Sequence, residues 1–272
     1  MKGKKRNLII IEIFGLLLAL LWISPFYLMI VNAFKTKKEI FTGVLGLPDG
    51  FETNNFVQAF KDLDFVNSLF NSLLITVVGV GIIILFSSMA GYALARNKSK
   101  LSALILLLFV AAMLIPFQSV MIPLVSLFSK ADMLNRAGLI FMYLGFGSSL
   151  SIFLYHGAMT GISTSLDEAA IIDGANKFQV FWHIIFPLLK PISVTVGILN
   201  VIWIWNDYLL PSLILADENA TIPIKMFLFF GQYTKQWHLA LAGLTIAIIP
   251  VIVGYFFAQK QIIEGVSEGA VK

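Results

Sequence analysis

The sequence contains no cysteine and few charged residues. Without cysteine, the chain can form neither disulfides nor thiolate sites for metals or redox chemistry. Charged residues make up 12% of the 272 residues and hydrophobic residues 58%, whereas soluble domains average about 25% charged residues. This composition excludes an ordinary soluble domain and indicates an integral membrane protein.

Several functional motifs are also missing. No Gly-x4-Gly-Lys-Ser/Thr phosphate loop occurs, so the chain is not expected to hydrolyse ATP by that route. The three histidines, His156, His183 and His238, fall in different parts of the predicted topology, and no shared metal site is expected. The net charge of +4 is small and much of it flanks apolar segments, so no nucleic-acid partner is predicted. We therefore predict no catalytic residue, no metal and no enzyme activity.

Six apolar segments are long enough to cross a bilayer, because about 20 apolar residues in a helix span the hydrocarbon core. We place them at about residues 8–34, 67–95, 101–129, 137–166, 191–216 and 239–259. The first follows basic residues, as a signal peptide would, but its apolar run is longer than a signal core. It is interpreted as a retained helix. The predicted fold class is all-α: one polytopic membrane domain over residues 1–272.

Basic residues suggest an orientation. The positive-inside rule places residues 2–6 and the turn with Arg96, Lys98 and Lys100 in the cytoplasm, and six crossings then return the C-terminus there. The basic residues of segment 35–38 argue for the opposite orientation, since they would lie just outside. We favour cytoplasmic termini because residues 2–6 and the turn 96–100 carry basic residues and no acidic ones.

Two outward segments have open interpretations. Phe56, Ala59, Phe60 and Leu63 recur at helical spacing within residues 51–66, which predicts a short amphipathic helix that Asn54 or Asn55 could cap. This helix could cover the end of the helical bundle as a packing lid, or it could be a binding site for an extracellular partner. Segment 217–237 has mixed charges and no periodicity, and could be a partner contact or a plain connection.

Three polar residues within the spans are candidates for a translocation path: Gln118, Asn206 and Asp207. Intramembrane ionisable residues commonly face a bundle interior or a water-filled path. Asp207 could equally break the helix or bond another helix. Gln118 lies between two prolines that could simply kink the third span. Small residues let membrane helices approach closely, and the candidates for this role are Gly79, Gly81, Gly91, Gly145 and Gly147.

A polar segment, residues 163–190, interrupts the apolar pattern between the fourth and fifth spans; we call it the coupling loop. Ser165 and Glu168 have the spacing of a capping box, and Gly174 could end that helix in a left-handed conformation. A second helical stretch over residues 177–186 would end at Pro187. A helix of about eight residues needs a surface to dock on, and its own bundle or a partner could supply one.

The order Glu-Ala-Ala, three residues, Gly, nine residues, Ile, one residue, Leu-Pro resembles the signature of permease subunits of ATP-binding-cassette importers. The chain matches it at Glu168, Ala169, Ala170, Gly174, Ile184 and Pro187, with Phe186 where leucine is usual. The strings Gly91-Tyr92-Ala93-Leu94-Ala95-Arg96 and Trp205-Asn206-Asp207-Tyr208 are similar to the sugar-importer branch, specifically its smaller maltose-type subunit.

The resemblance implies a type I importer fold in the cell membrane, and four kinds of partner. These are a second permease subunit, two cytoplasmic ATPases that bind the ATP, an extracytoplasmic solute-binding protein, and a sugar. The residues it implies for ATPase coupling are Ser165, Asp167, Glu168, Ala169, Ala170, Asp173, Gly174, Ile184 and Pro187. The alternative function is an ion-coupled secondary transporter, for which Asp207 would be the sole intramembrane acid of the fifth span.

Overall fold

The computed structural model describes the backbone of residues 2–231 and 235–270 and the side chains of residues 10–231 and 235–260. Within these ranges the chain is helical and has no strand, apart from an isolated bridge between Phe230 and Lys235. The helices are α1 (Lys2–Ala33), α2 (Lys37–Thr42), α3 (Asn54–Asp62), α4 (Phe65–Arg96), α5 (Lys100–Ala112), α6 (Phe117–Lys130), α7 (Arg136–Met159), α8 (Ser165–Ile172), α9 (Lys177–Val180), α10 (Phe186–Leu188), α11 (Lys190–Asn206), α12 (Leu209–Ile214), α13 (Ile222–Phe227) and α14 (Trp237–Ala270).

Four helical stretches are long and apolar enough to cross a membrane: Ile10–Ala33, Phe65–Arg96, Arg136–Met159 and Trp237–Lys260. Two further pairs of helices qualify only if each bent pair counts as one span, so the described residues provide four to six spans. The all-α prediction is confirmed. The predicted fourth span was too long at its C-terminal end, because α7 stops at Met159 and not near residue 166.

The predicted third span is two helices. α5 and α6 meet at an angle of 103° across residues 113–116. Pro116 precedes α6 with extended backbone (φ −67°, ψ 136°), and a proline also disfavours helical backbone in the residue before it. The proline kink that the sequence left open is thus present in the predicted third span, and the side chains stay apolar through the break.

The predicted fifth span is interrupted as well. α11 ends at Asn206, Asp207 takes extended backbone (φ −72°, ψ 127°), and α12 begins two residues later. The helix-breaking interpretation of Asp207 is thus confirmed.

The chain forms two compact units, residues 1–65 with 225–253, and residues 66–224 with 254–272. In the first unit, the predicted short helix is confirmed as α3, in which Ala59 is buried, and Leu63 directly after the helix is buried too. The predicted asparagine cap is wrong: Thr53 precedes α3 without a side-chain cap bond. Asn55 is instead buried, and its Nδ2 donates to the carbonyls of Ala33 and Lys35, each at 2.9 Å.

A capping box begins α2 in the same unit. The Glu39 carboxylate accepts from the hydroxyl and amide of Thr36, and the Thr36 Oγ1 accepts in turn from the amide of Glu39. Hydrogen bonds from Thr36, and one from the amide of Asp49, lower the pKa of the Glu39 carboxyl.

The core of the second unit lies among α4, α7 and α11. Its fully buried side chains include Ile75, Ile83, Leu139, Tyr143, Tyr155, Met159, Ile185 and Val196. Close approach depends on two of the predicted glycines. A Cβ at Gly91 would lie 2.6 Å from the Cβ of Tyr155, and one at Gly147 would lie 2.6 Å from the Cδ1 of Ile83. Gly81 and Gly145 have no such neighbour within 4 Å, so the prediction fails for them.

We predict that Gly91→Ala lowers the stability of the second unit by about 1–3 kcal/mol, because the new methyl group overpacks a rigid contact. The obstacle includes the backbone nitrogen of His156 at 3.1 Å, which cannot rotate away. Gly81→Ala, on the same helix, is the matched control and should shift stability by less than about 1 kcal/mol. The measurement is the thermal unfolding midpoint in detergent, and equal midpoints for the two variants would contradict the prediction.

Candidate functional site

The coupling loop begins with α8, but not through the predicted capping box. Thr164 precedes the helix with helical backbone and makes no side-chain cap bond. The amide of Glu168 bonds the carbonyl of Thr164 at 3.1 Å, because the helical turn starts one residue earlier than predicted. The Oγ of Ser163 accepts from the amide of Ser165 at 3.2 Å and so satisfies one free donor.

The C-terminal end of α8 forms as predicted. Gly174 has φ +90°, a backbone conformation that side-chain-bearing residues rarely adopt. The amide of Gly174 bonds the carbonyl of Ile171 at 3.0 Å, and the amide of Ala175 bonds that of Ala170 at 2.9 Å. These two bonds make a Schellman motif, which ends the helix within one turn.

α8 has a buried side and an exposed side. Asp167 and Ala170 are 8% and 7% exposed and pack into the second unit. Glu168, Ala169 and Asp173 are exposed. The two alanines of the signature therefore face different surroundings, because only Ala170 contacts the core of this chain. The exposed side also carries apolar residues, Leu166, Ile171 and Ile172, of which Ile172 is 85% exposed.

Asp167 is bound from α4. Its Oδ2 accepts from the Nη2 of Arg96 at 2.8 Å, and its Oδ1 accepts from the hydroxyl of Tyr92 at 2.7 Å and from the Nε of Arg96 at 3.3 Å. From the resemblance, Asp167 was predicted to take part in ATPase coupling, and no role in the site was predicted for Tyr92 or Arg96. The only available signal was that Arg96 sits at the end of an apolar run whose other residues are uncharged.

The second half of the coupling loop begins with an unpredicted capping box. The Oδ1 of Asn176 accepts from the amide of Gln179 at 2.9 Å, and the Oε1 of Gln179 accepts from the amide of Asn176 at 2.8 Å. α9 then continues into a π-helical turn over Phe181–Ile185 and into α10.

Pro187 does not end the helix at Phe186, as predicted. It lies inside α10, and the chain turns by 75° at Leu189 before α11. Proline has no amide to donate, and the wider π-helical turn precedes it. Ile184 is half-buried and Pro187 exposed, whereas Phe181, Ile185 and Leu189 are buried against the second unit.

The three path candidates differ in their surroundings. Asp207 accepts from the hydroxyl of the fully buried Tyr143 at 2.9 Å and from the amide of Leu209 at 3.1 Å. Asn206 is exposed and its Nδ2 donates to the carbonyl of Ile202 in its own helix. Gln118 is exposed on α6. Within the described ranges, no hydrogen bond joins these three residues. Their part in a path stays a prediction.

The segment after α12 is tied to α4. The side-chain Nδ2 atoms of Asn67 and Asn71 donate to the carbonyls of Glu218 and Ala220, at 2.9 and 3.2 Å respectively. The Oγ of Ser72 accepts from the backbone amide of Ile222 at 2.9 Å. Residues 218–222 are thus bonded to α4, and a partner contact by segment 217–237 stays a prediction. In the described ranges, no group of three His, Asp or Glu side chains is placed to hold a metal ion.

Comparison with known proteins identifies the family. Residues 83–267 match the family model of the binding-protein-dependent transport system inner membrane component. The chain is 55% identical over 259 residues to a probable starch degradation products transport system permease protein, AmyC, from Thermoanaerobacterium thermosulfurigenes, which covers 95% of this chain and 94% of the relative.

Two other relatives are named for sugars. The multiple sugar-binding transport system permease protein MsmG of Streptococcus mutans is 36% identical, with 93% of both chains covered. The melibiose/raffinose/stachyose import permease protein MelC of Bacillus subtilis is 34% identical, with 99% of both covered. Among solved structures, a chain of a bacterial ABC transporter that imports the polysaccharide alginate matches with a TM-score of 0.79 at 24% identity, over 96% of this chain and 98% of that one. The latter likeness shows the fold.

Proposed function

Because the chain belongs to the family of binding-protein-dependent transport system inner membrane components, we propose that it is the membrane-spanning subunit of an ATP-driven sugar importer and forms half of its translocation path. Its relatives are named for the transport of starch degradation products, of multiple sugars, and of melibiose, raffinose and stachyose. The first of these shares 55% of its residues with this chain, so starch degradation products are the first substrates to test.

The proposed topology has six spans, of which α5 with α6 forms the third and α11 with α12 the fifth, and both termini lie in the cytoplasm. The contact between α4 and α8 supports it. Arg96, which begins the basic turn 96–100, bonds Asp167 directly, so this turn and the coupling loop lie at the same membrane face. The positive-inside rule assigns that face to the cytoplasm.

The coupling loop is the proposed contact with a cytoplasmic ATPase. The observation that carries this proposal is the exposed side of α8, where Glu168, Ala169 and Asp173 surround apolar side chains that the chain leaves uncovered. Ile172 is 85% exposed on this helix of eight residues. Exposed apolar side chains rimmed by polar ones are typical of protein interaction sites.

In this account, Glu168, Ala169 and Asp173 contact the ATPase, while Gly174 ends the docked helix. Ser165 and Ala170 hold the first turn and the inner side, and Ile184 and Pro187 belong to the connection with α11. The partners are a second permease subunit, two ATPases and an extracytoplasmic solute-binding protein. ATP binds to the ATPases, and no cofactor is assigned to this chain.

Uptake by vesicles tests the proposal. Vesicles that contain this chain with its partner permease and ATPases should accumulate labelled maltodextrin only when ATP is inside and the binding protein outside. Dissipating the proton and sodium gradients should leave the initial rate unchanged. An ion-coupled secondary transporter would give the opposite pattern, with uptake that needs no ATP and stops when the gradients collapse.

A further inference from the structure

We infer that Arg96, Tyr92 and Asp167 clamp the coupling loop to α4, so that the motion imposed by the ATPase reaches α4 and α7 together with α8. This inference rests on the proposed function. It also assigns Asp167 a role inside this chain, since the residue is directed away from the exposed side of α8.

The first support is that every oxygen of the Asp167 side chain has a donor from α4. Arg96 uses its Nε and Nη2 on the two oxygens, and the Tyr92 hydroxyl adds a third bond of 2.7 Å. A two-pronged bond between guanidinium and carboxylate fixes orientation as well as distance. Both side chains are mostly buried, at 17% and 12% exposure, so the pair is weakly screened by solvent.

The second support is that the same guanidinium reaches the link between α7 and α8. The Nη1 of Arg96 donates to the carbonyl of Ile162 at 3.0 Å, and Nη2 approaches that of Ser163 at 3.4 Å. These carbonyls follow the last turns of α7. One side chain on α4 thereby bonds both the link that follows α7 and the first turn of α8.

The third support is close apolar packing beside the clamp. The Tyr92 ring lies 5.5 Å from that of the buried Phe181, which belongs to the second half of the coupling loop. One residue earlier, Gly91 allows the backbone of α4 to approach Tyr155 of α7. The covalent route from the coupling loop to α11, by contrast, passes through the 75° bend at Leu189.

The first test breaks and restores the clamp. Asp167→Asn and Arg96→Gln should each lower ATP-driven uptake at least tenfold while ATP hydrolysis continues, because the loop still docks but no longer moves α4. The exchanged pair, Arg96→Asp with Asp167→Arg, should recover part of the uptake. Lys98→Gln, an exposed charge two residues from Arg96, is the control and should transport normally.

Uptake at the unaltered rate in Asp167→Asn would overturn the inference. So would loss of ATP hydrolysis in step with uptake in the single variants, without recovery in the exchanged pair, since this would indicate a general folding role. If the unaltered chain shows no ATP-dependent uptake at all, the proposed function fails first, and the two failures are thus distinguishable.

The distance between α4 and the coupling loop tests the clamp in a chain that keeps Arg96, Tyr92 and Asp167. The sequence has no cysteine, so Lys98→Cys with Lys177→Cys places two spin labels, one beside α4 and one on the coupling loop. We expect one narrow distance distribution that is the same with and without ATP, and a broader one when Asp167→Asn is added. A shift of the distance on ATP binding in the chain with an intact clamp would overturn the inference.

Discussion

Gly174→Val is expected to reduce ATP-driven uptake at least tenfold while the complex still inserts and hydrolyses ATP. Gly174 has φ +90° with open space around it, so valine would meet no neighbour but would strain the backbone. Such strain costs about 1–3 kcal/mol at a residue with a side chain, and 1.4 kcal/mol corresponds to a tenfold change in a population. The loop would leave the conformation in which α8 can dock.

Two companion variants separate strain from bulk in this prediction. Gly157→Val, on α7, also enters open space but at a helical backbone position, so it should retain most of the uptake. Gly174→Asn should fall between the unaltered chain and the valine variant, because asparagine tolerates the left-handed conformation better. Equal uptake by the two valine variants would show that the backbone conformation of Gly174 is not required.

Asp207→Leu is expected to destabilise the protein more than any other single change at the path candidates. It removes the acceptor of the fully buried Tyr143 hydroxyl and of the Leu209 amide. A buried donor left without a partner costs roughly 1–3 kcal/mol. The yield of assembled complex and its thermal midpoint should both fall, while the KM for sugar in the surviving complex should stay within about twofold.

The double variant Asp207→Leu with Tyr143→Phe sharpens this second prediction. It removes both partners of the buried hydrogen bond, which lowers the stability less than removal of the acceptor alone. We therefore expect its thermal midpoint to lie above that of Asp207→Leu alone. Tyr255→Phe, at an exposed tyrosine, is the control for loss of a hydroxyl. An unchanged midpoint with a strongly raised KM would instead place Asp207 on the sugar path.

The long helices were predictable because each is specified by a continuous apolar run. In α4 and α7, no charged residue interrupts the run, and backbone bonds within the helix are the only partners that a bilayer offers. The breaks were harder to predict. Residues 113–116 interrupt a helix without interrupting the apolar composition, and hydropathy does not distinguish a bent span from a straight one. The break at Asp207 had a signal in the sequence, because its side chain is the one acid of that apolar segment.

In the coupling loop, features that depend on neighbouring residues were predictable from the sequence, and contacts with distant residues were not. The end of α8 depends on Gly174, whose conformational freedom is a property of the residue itself, and its prediction is confirmed. The direction in which Asp167 points depends on Arg96, which is 71 positions away in the sequence. No spacing rule within the loop contains that information. The predicted capping box failed for a related reason, since the helical turn begins at Thr164 and Ser163 supplies the hydroxyl.

The exposed side of α8 is proposed to contact an ATPase in the cytoplasm, and crosslinking tests this contact directly. A single cysteine at Ile172, in a chain that has no other, can be crosslinked in the assembled complex with a short bifunctional reagent. We predict a crosslink to the ATPase subunit whose yield changes on ATP binding, and none from a control cysteine at the exposed Phe51. Labelling of the Ile172 cysteine by an impermeant reagent from outside the cell, with no crosslink to the ATPase, would contradict the account.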